Sequence, residues 1–382
     1  MKLLVCATEY YPYGSGIANV AYNVVEKLKE RGIKCTVCSP TGPDIKLGST
    51  KLIKKYGIFG LIHYWREVSN YFVKNADDFD VVWCHNPFFL NNNPFEHCLV
   101  TMNSTYYGNA MSSSYPFNIK MYKKIVSYIE KYSLTHLDSN TRFTGVGNNV
   151  CEELELMGIE KNRISFIPNG VDTNNFKPTD EKEEIRKKYN IPENHLMLLS
   201  VGRLTEAKAP LRLIDTFNYI NEKIDFITLV IAGNGELANK VKQYRDEKGL
   251  KNVILLGNVK AKDTPQLYAC SDYFIMTSRY EGGEPPLTLS EAMASGLPCI
   301  VSNISNFNVV DKANCGIMVD FGDLKEAGKE VVGYLERDNS EHSTNAREYA
   351  ENNLDWDMIA DKYIEEFIQL SKHTQLDESQ MY

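Results

Sequence analysis

The chain has 382 residues, 43% hydrophobic and 24% charged, a composition typical of soluble globular proteins and long enough for two domains of ordinary size. Its net charge of −8 excludes a general attraction to nucleic acid, and no apolar run approaches the roughly 20 residues of a membrane span. The charge is uneven: up to Gly170 there are 18 Lys/Arg against 15 Asp/Glu, and beyond it 24 against 35, which points to two domains with different partners.

The opening MKLLVCATEYYP carries an apolar run too short for a secretory core and fits a first β-strand over 3–8. With no export signal, the nine cysteines are expected as reduced thiols in a cytoplasmic setting. The loop Gly14-Ser15-Gly16 then leads into a helix over Asn19–Arg31. Such a loop either presents backbone N–H groups to a phosphate or an acceptor, or is a plain tight turn. GSGIAN lacks the third glycine of G-x-G-x-x-G, which argues against a dinucleotide dehydrogenase. In the next strand, KCTVCS (34–39), Cys35 and Cys38 fall on opposite faces and read as small buried residues rather than a metal or redox pair.

Between Pro43 and Asn75 lie six Lys/Arg and two Asp/Glu, interleaved with aromatics such as Tyr56, Phe59, Tyr64 and Trp65, and FNIKMYKKIVSYIEKY repeats the pattern. The stretches 46–74 and 118–132 are either a surface that rests on anionic lipid or amphipathic helices packed on the first domain. The second reading is preferred, because aromatics at helical spacing usually belong to a core. DVVWCH (80–85), CLVTM (98–102), FTGVG (143–147) and ISFIP (164–168) complete a first series of strands, with His85 ending one and Asn103 following another.

Pro, Gly, Asn and Asp crowd the segment PNGVDTNNFKPTDEKEE, which predicts a hinge at about 169–180 and domains over 1–172 and 173–355. A second series follows: LMLLSVG (196–202), ITLVIAG (227–233), VILLG (253–257), YFIMTS (273–278) and CIVSN (299–303), with a helical segment at Leu211–Glu222. These runs are continuous rather than alternating, as in parallel sheets buried on both faces. The expected fold class is therefore α/β, two doubly wound parallel-sheet domains with a ligand between them at the carboxyl ends of the strands. A last helical pattern, Ala346–Leu370, has no strand after it, and 356–382 is expected to cross back over the first domain.

Two motifs in the second half carry chemistry. In LLSVGRLTEAKAPL, Arg203 and Lys208 project at the carboxyl end of a strand, where two fixed cations match a diphosphate. In SRYEGGEPPLTLSEAMASGLP, Gly282 and Gly283 let a ligand approach main-chain N–H groups, Pro285 or Pro286 opens a helix, and Gly296 caps it. Glu291 lies on a nearly uncharged stripe of that helix and reads either as a carboxylate that accepts two hydrogen bonds from a vicinal diol or as an ordinary capped or exposed glutamate. No Asp-x-Asp stands beside these motifs and no His/Asp/Cys cluster has metal spacing, so neither a metal nor a cofactor is expected.

Together with FIPNGVDTNNFKP, LVIAGNGEL and ILLGNV, these motifs resemble the retaining, nucleotide-sugar-dependent glycosyltransferases of family 4, which have the GT-B fold. The resemblance implies that Arg203 and Lys208 grip the donor diphosphate, that Glu291 binds the ribose hydroxyls, that Gly16 faces the diphosphate, and that Asn258 and Val259 hold the base. On the acceptor side stand Gly14, in the glycine loop, and His85, which ends a strand and reads either as a neighbour of the reacting sugar or as a satisfied structural histidine. The resemblance also implies hexose transfer from a UDP- or GDP-sugar to a glycan or lipid-linked acceptor; with the cytoplasmic setting and the basic-aromatic stretches, the expected place is the cytoplasm, with the inner membrane face as a site of peripheral contact.

Two departures from the family pattern stand out. The first glutamate of Glu-x7-Glu is missing, because Gly283 stands eight before Glu291; Glu281 is the choice for its role, with Glu284 the alternative. Asn103 replaces a common histidine beside the reacting sugar and cannot take up a proton at neutral pH. These departures keep two other readings open: a catalytically impaired nucleotide-sugar binder, or a GT-B relative such as a sugar-nucleotide epimerase or a phosphorylase.

Overall fold

The structure is a computed structural model that describes residues 1–13, 16–90, 94–111 and 117–379. The chain divides into two units: Met1–Asn169 with Trp356–Tyr382, and Gly170–Asp355. The boundary lies between Asn169 and Gly170, three residues before the position read from composition.

The first unit is built on a seven-stranded sheet of β1 (Lys2–Cys6), β2 (Lys34–Ser39), β3 (Ile45–Lys46), β4 (Val81–His85), β5 (Cys98–Met102), β6 (Arg142–Gly145) and β7 (Ile164–Phe166), in the order β3-β2-β1-β4-β5-β6-β7. Every pairing is parallel, and β4 and β5 are buried along their whole length, which is why their sequences run apolar without alternation. The helices that matter below are α1 (Gly16–Glu30), α2 (Thr50–Tyr56), α3 (Ile58–Asn75), α4 (Tyr106–Met111) and α5 (Phe117–Thr135).

The second unit holds a six-stranded parallel sheet of β8 (Leu196–Val201), β9 (Ile227–Ala232), β10 (Val253–Gly257), β11 (Tyr273–Met276), β12 (Cys299–Ser302) and β13 (Gly316–Val319), in the order β10-β9-β8-β11-β12-β13. Strand order therefore reverses between β1 and β4 in one unit and between β8 and β11 in the other. Outside the carboxyl ends of strands at such a switch point the helices diverge to opposite faces and leave a crevice for a ligand.

Two strands escaped the sequence reading. β3 is two residues long, and β13 opens on Gly316 with only four residues. A Cβ at Gly316 would stand 1.8 Å from the Cys299 carbonyl oxygen, so close strand approach demands glycine where apolar pattern alone looks for a larger residue.

The last helical pattern is two helices, Ser340–Asn353 and Trp356–Ser379, not one. The chain breaks at Leu354 and Asp355 because their groups are used elsewhere. The Leu354 carbonyl accepts from the Val171 amide at 2.7 Å, and the Thr173 hydroxyl bonds the Asp355 carboxylate. The C-terminal helix Trp356–Ser379 packs within the first unit on α1 and on β4 and β5. Arg31 binds Asp361 at 2.9 Å and Asp357 at 3.1 Å, Tyr363 lies 4.8 Å from Trp83, and Arg142 meets the buried Glu366 at 2.6 Å. Replacing Glu366 by Ala strips the half-buried Arg142 of its carboxylate and is expected to lower stability by about 1–3 kcal/mol in urea denaturation.

Candidate active site

In the second unit three strands of the sheet run into glycine: Gly202 follows β8, Gly233 follows β9, and Gly257 ends β10. The Gly202 amide donates to the Ala232 carbonyl at 3.0 Å, and the Gly233 amide to the Gly257 carbonyl at 2.7 Å. A Cβ on Gly233 would lie 1.9 Å from the Gly202 carbonyl oxygen, so the strand ends close ranks only because side chains are absent. A cavity of about 250 Å³ opens over them, lined by Gly202, Arg203, Gly233, Asn258 and Val259, with Asn234 and Thr264 on its wall. A smaller recess shares Val201, Gly202 and Arg203 with it and adds Lys208, Thr277 and Ser278.

The loops after β8 and β11 are stitched together. Lys208 Nζ reaches both oxygens of Glu281, at 2.5 and 2.6 Å. The Arg279 amide donates to the Ala207 carbonyl at 2.8 Å, and the Thr277 hydroxyl to the Ala209 carbonyl at 3.2 Å. Glu281 is buried while Lys208 is partly open, so the carboxylate holds the ammonium at the rim of the recess. Arg203 is exposed at the junction of the two recesses and has no ion-pair partner among the described residues.

The glycine loop leads into the site helix, Leu287–Ala294, which Pro286 precedes rather than opens. Asn306, a buried side chain that sequence reasoning missed, donates to the Gly283 carbonyl at 3.2 Å. Glu284 is also buried, beside Gly282 and Gly283, which are half-open. Glu291 stands on the site helix and is not among the lining residues of either recess. Burial pushes its carboxyl up to about 7 against a hydrogen bond with Tyr268 that lowers it. Tyr268 belongs to the helix Thr264–Ala269, whose first residue lines the larger cavity, and the Thr288 carbonyl, 3.1 Å from its hydroxyl, competes with Glu291 for that one proton. Among the described residues no group of three His, Cys, Asp or Glu is placed to hold a metal ion.

In the first unit Gly16 is the first residue of α1, while Gly14 lies outside the described residues. Asn103 follows β5, and its amide nitrogens, main chain and side chain, both donate to Asn86 Oδ1, at 3.0 and 3.1 Å. Asn86 takes φ 48° at the end of β4 and donates in turn to the Ser104 carbonyl at 2.7 Å. The α4 helix beyond is capped by Glu130 and by the Thr105 hydroxyl, which accepts from the Gly108 amide at 2.8 Å. Glu130 accepts from the Tyr106 amide at 2.7 Å and burial pushes it up to about 8. Burial pushes Glu153, which bonds the Thr105 hydroxyl at 2.5 Å, up to about 7.

His85 does not serve an acceptor in this arrangement. Its side chain is fully buried, 4.4 Å from the Trp83 ring, and neither ring nitrogen has a hydrogen-bond partner among the described residues. Burial drives it down to about 3, so it is neutral. On β4, His85 shares the face of Trp83, where the C-terminal helix packs, and that cover supports the structural reading of this histidine over the acceptor-side one.

Asn86 stood in the VVWCHNP segment and Asn234 in LVIAGNGEL, so both were within reach of motif reading. Asn306, Thr264 and Tyr268 carry no local signal and become visible only through folding.

A family model for glycosyl transferases group 1 matches residues 181–353, and one for glycosyltransferase family 4 matches residues 14–175. The chain belongs to the group 1 glycosyltransferases of family 4. Over 171 residues this glycosyltransferase is 36% identical to the UDP-Gal:alpha-D-GlcNAc-diphosphoundecaprenol alpha-1,3-galactosyltransferase of Escherichia coli, covering 44% of this chain and 43% of that protein. Over 236 residues it is 24% identical to the alpha-galactosylglucosyldiacylglycerol synthase of Streptococcus pneumoniae, covering 59% and 62%. The match thus spans less than two thirds of the length of either curated relative. Its fold is that of WaaG, a glycosyltransferase involved in lipopolysaccharide biosynthesis, with a TM-score of 0.75 at 18% identity over 94% of this chain and 98% of that one. The sucrose-phosphate synthase from Thermosynechococcus elongatus gives the same score at 17% identity, over 97% and 98%.

The Lys208–Glu281 pair yields a direct test in this glycosyltransferase. Lys208→Met deprives a buried carboxylate of its cation and is expected to cost about 2–3 kcal/mol of stability. Adding Glu281→Gln is expected to restore most of that loss, measured by chemical denaturation of the single and double variants.

Proposed function

We propose that the protein transfers a hexose from a nucleoside-diphosphate sugar to a glycan or lipid-linked acceptor, with retention of anomeric configuration and without a metal. The observation that carries this reading is the glycine-floored cavity with exposed Arg203 at its junction with the recess that Lys208 lines. Backbone-lined, cationic sites of this kind suit a pyrophosphate. The named activity of the Escherichia coli relative, which uses UDP-Gal and a diphosphoundecaprenol-linked acceptor, supports a lipid-linked acceptor here. We assign the reaction to the cytoplasmic face of a membrane, where a lipid-linked acceptor presents its head group; no described helix is long and apolar enough to cross a membrane.

In this reading Asn258, Val259, Asn234 and Thr264 surround the base, Glu291 accepts the ribose hydroxyls, and Arg203 and Lys208 neutralise the pyrophosphate. The anomeric C–O bond breaks toward the leaving phosphate, whose growing charge Arg203 and Lys208 meet. The leaving phosphate takes up the acceptor hydroxyl proton as the new glycosidic bond forms on the same face. Glu281, already bound to Lys208, and Glu284 with Gly282 and Gly283 flank the sugar. Arg203→Ala is expected to lower kcat by about 100- to 1,000-fold while changing the donor KM less, and unchanged turnover would contradict the assignment. Reaction with UDP- and GDP-sugars in the presence of EDTA, followed by NMR of the product anomer, tests metal independence and retention together.

The Glu291 carboxyl makes donor binding depend on pH. Its acid form predominates below about 7 and its carboxylate above, and only the carboxylate accepts two hydrogen bonds from a diol. A UDP-sugar, whose diester phosphates do not titrate in this range, is expected to bind up to about tenfold more tightly at pH 8 than at pH 6. Glu291→Gln is expected to bind more weakly at pH 8 and to abolish the slope, read by calorimetry.

A second reading, an impaired binder of nucleotide sugars, draws on Asn103, whose amide is committed to Asn86 and cannot shuttle a proton. Tight UDP binding with neither donor hydrolysis nor transfer would favour it.

A further inference from the structure

The two basic-aromatic stretches of the first unit have different fates. In α3 the aromatics Tyr64, Trp65 and Phe72 are buried in the core, as the packed-helix reading expects. In α5 the buried face is Val126, Ser127, Glu130, Ser133 and Leu134, and the aromatics lie elsewhere. Met121, Ile125, Tyr128 and Tyr132 recur at the spacing of one helical face and are all exposed. Ile125 is 56% exposed, Tyr128 64%, and Phe117 at the head of the helix 79%.

This exposure is local. Seven large hydrophobic residues are exposed on α5 alone, whereas among the described residues of the second unit Phe226 is the one exposed large hydrophobic. The α2 segment adds Leu52 and Tyr56, and Phe59 beyond it is 74% exposed. The α2–α3 junction lies against α5, since a Cβ at Gly57 would stand 3.1 Å from the Tyr122 hydroxyl. The apolar residues of both elements therefore belong to neighbouring surface.

Charge selects the occupant. Lys51, Lys54 and Lys55 on α2 and Lys124 and Lys131 on α5 are exposed. Across α2, α4 and α5 the one carboxylate is Glu130, and it is buried as the cap of α4. A second copy of this chain would bring the same positive face against itself, and like charges repel. A partner protein or glycan has no reason to need both an unbroken set of ammonium groups and a stripe of bulky side chains. An interface of anionic headgroups over acyl chains needs both: lysines attract the surface, and the apolar stripe enters it.

We infer that the outer face of α5, with α2 beside it, docks peripherally on an anionic lipid bilayer. The inference rests on the lipid-linked acceptor for its purpose, but it is measured without any sugar transfer. The full chain is sedimented with vesicles of phosphatidylcholine alone and with vesicles containing phosphatidylglycerol. Binding is expected to the second, and to fall as NaCl rises from about 0.1 to about 0.5 M. Ile125→Glu with Tyr128→Glu is expected to lower partition at least about tenfold. Its circular dichroism and calorimetric UDP affinity are expected to match the unsubstituted protein, since both side chains face solvent outside the nucleotide cavity. Absence of binding to anionic vesicles overturns the inference, as does binding that the double substitution leaves unchanged. Concentration-dependent dimerisation in sedimentation velocity that Ile125→Glu with Tyr128→Glu abolishes also overturns it, by assigning the face to a second copy. Failure of vesicle binding alongside measured sugar transfer rejects this surface and leaves the function standing; vesicle binding without transfer does the reverse.

Discussion

A buried carboxylate cannot face a cavity alone, and the ion pair of Glu281 with Lys208 follows from that constraint. The two residues lie on the loops after β11 and β8, the neighbouring strands at which the order of the second sheet reverses. Their attraction, with the backbone bonds from Arg279 and Thr277, turns two independent loops into one floor. The recess that includes Lys208 exists because that floor does not splay.

Electrostatics around the site divides the acidic residues by environment. Glu281 is matched with a cation, whereas Glu291 has a tyrosine hydroxyl for company and is pushed toward neutrality by burial. Arg203 remains uncommitted at the rim. A site so arranged carries positive charge that an anionic ligand can use without first dissolving an existing salt bridge, while Lys208 is already oriented by its partner. In the first unit the same logic acts on neutral groups. Asn86 takes a left-handed turn so that its amide brackets Asn103 and Ser104, and Glu130 caps the short helix behind that loop together with Thr105, whose hydroxyl Glu153 holds.

Repeating patterns and short loops were legible from the residues. Continuous apolar runs located eleven of the thirteen strands among the described residues, and Arg203, Lys208, Asn258 and Val259 line two neighbouring recesses. The two missed strands lacked signal for physical reasons, one for want of length and one because close packing put a glycine where an apolar side chain was sought. For His85 the residues left two readings open, and a helix distant in sequence decided for the structural one.

The sequence by itself determined the α/β class, the parallel sheets and the identity of the charged residues at strand ends, because periodicity and composition are local properties of a chain. Tertiary structure alone decided which charges are satisfied. It paired Lys208 with Glu281 across 73 positions, set Tyr268 against Glu291, and brought Asn306 beneath the glycine loop. It also decided which aromatics of the basic helices face the core and which face solvent, since a helix with apolar residues on two sides carries no mark of which side its neighbours will cover.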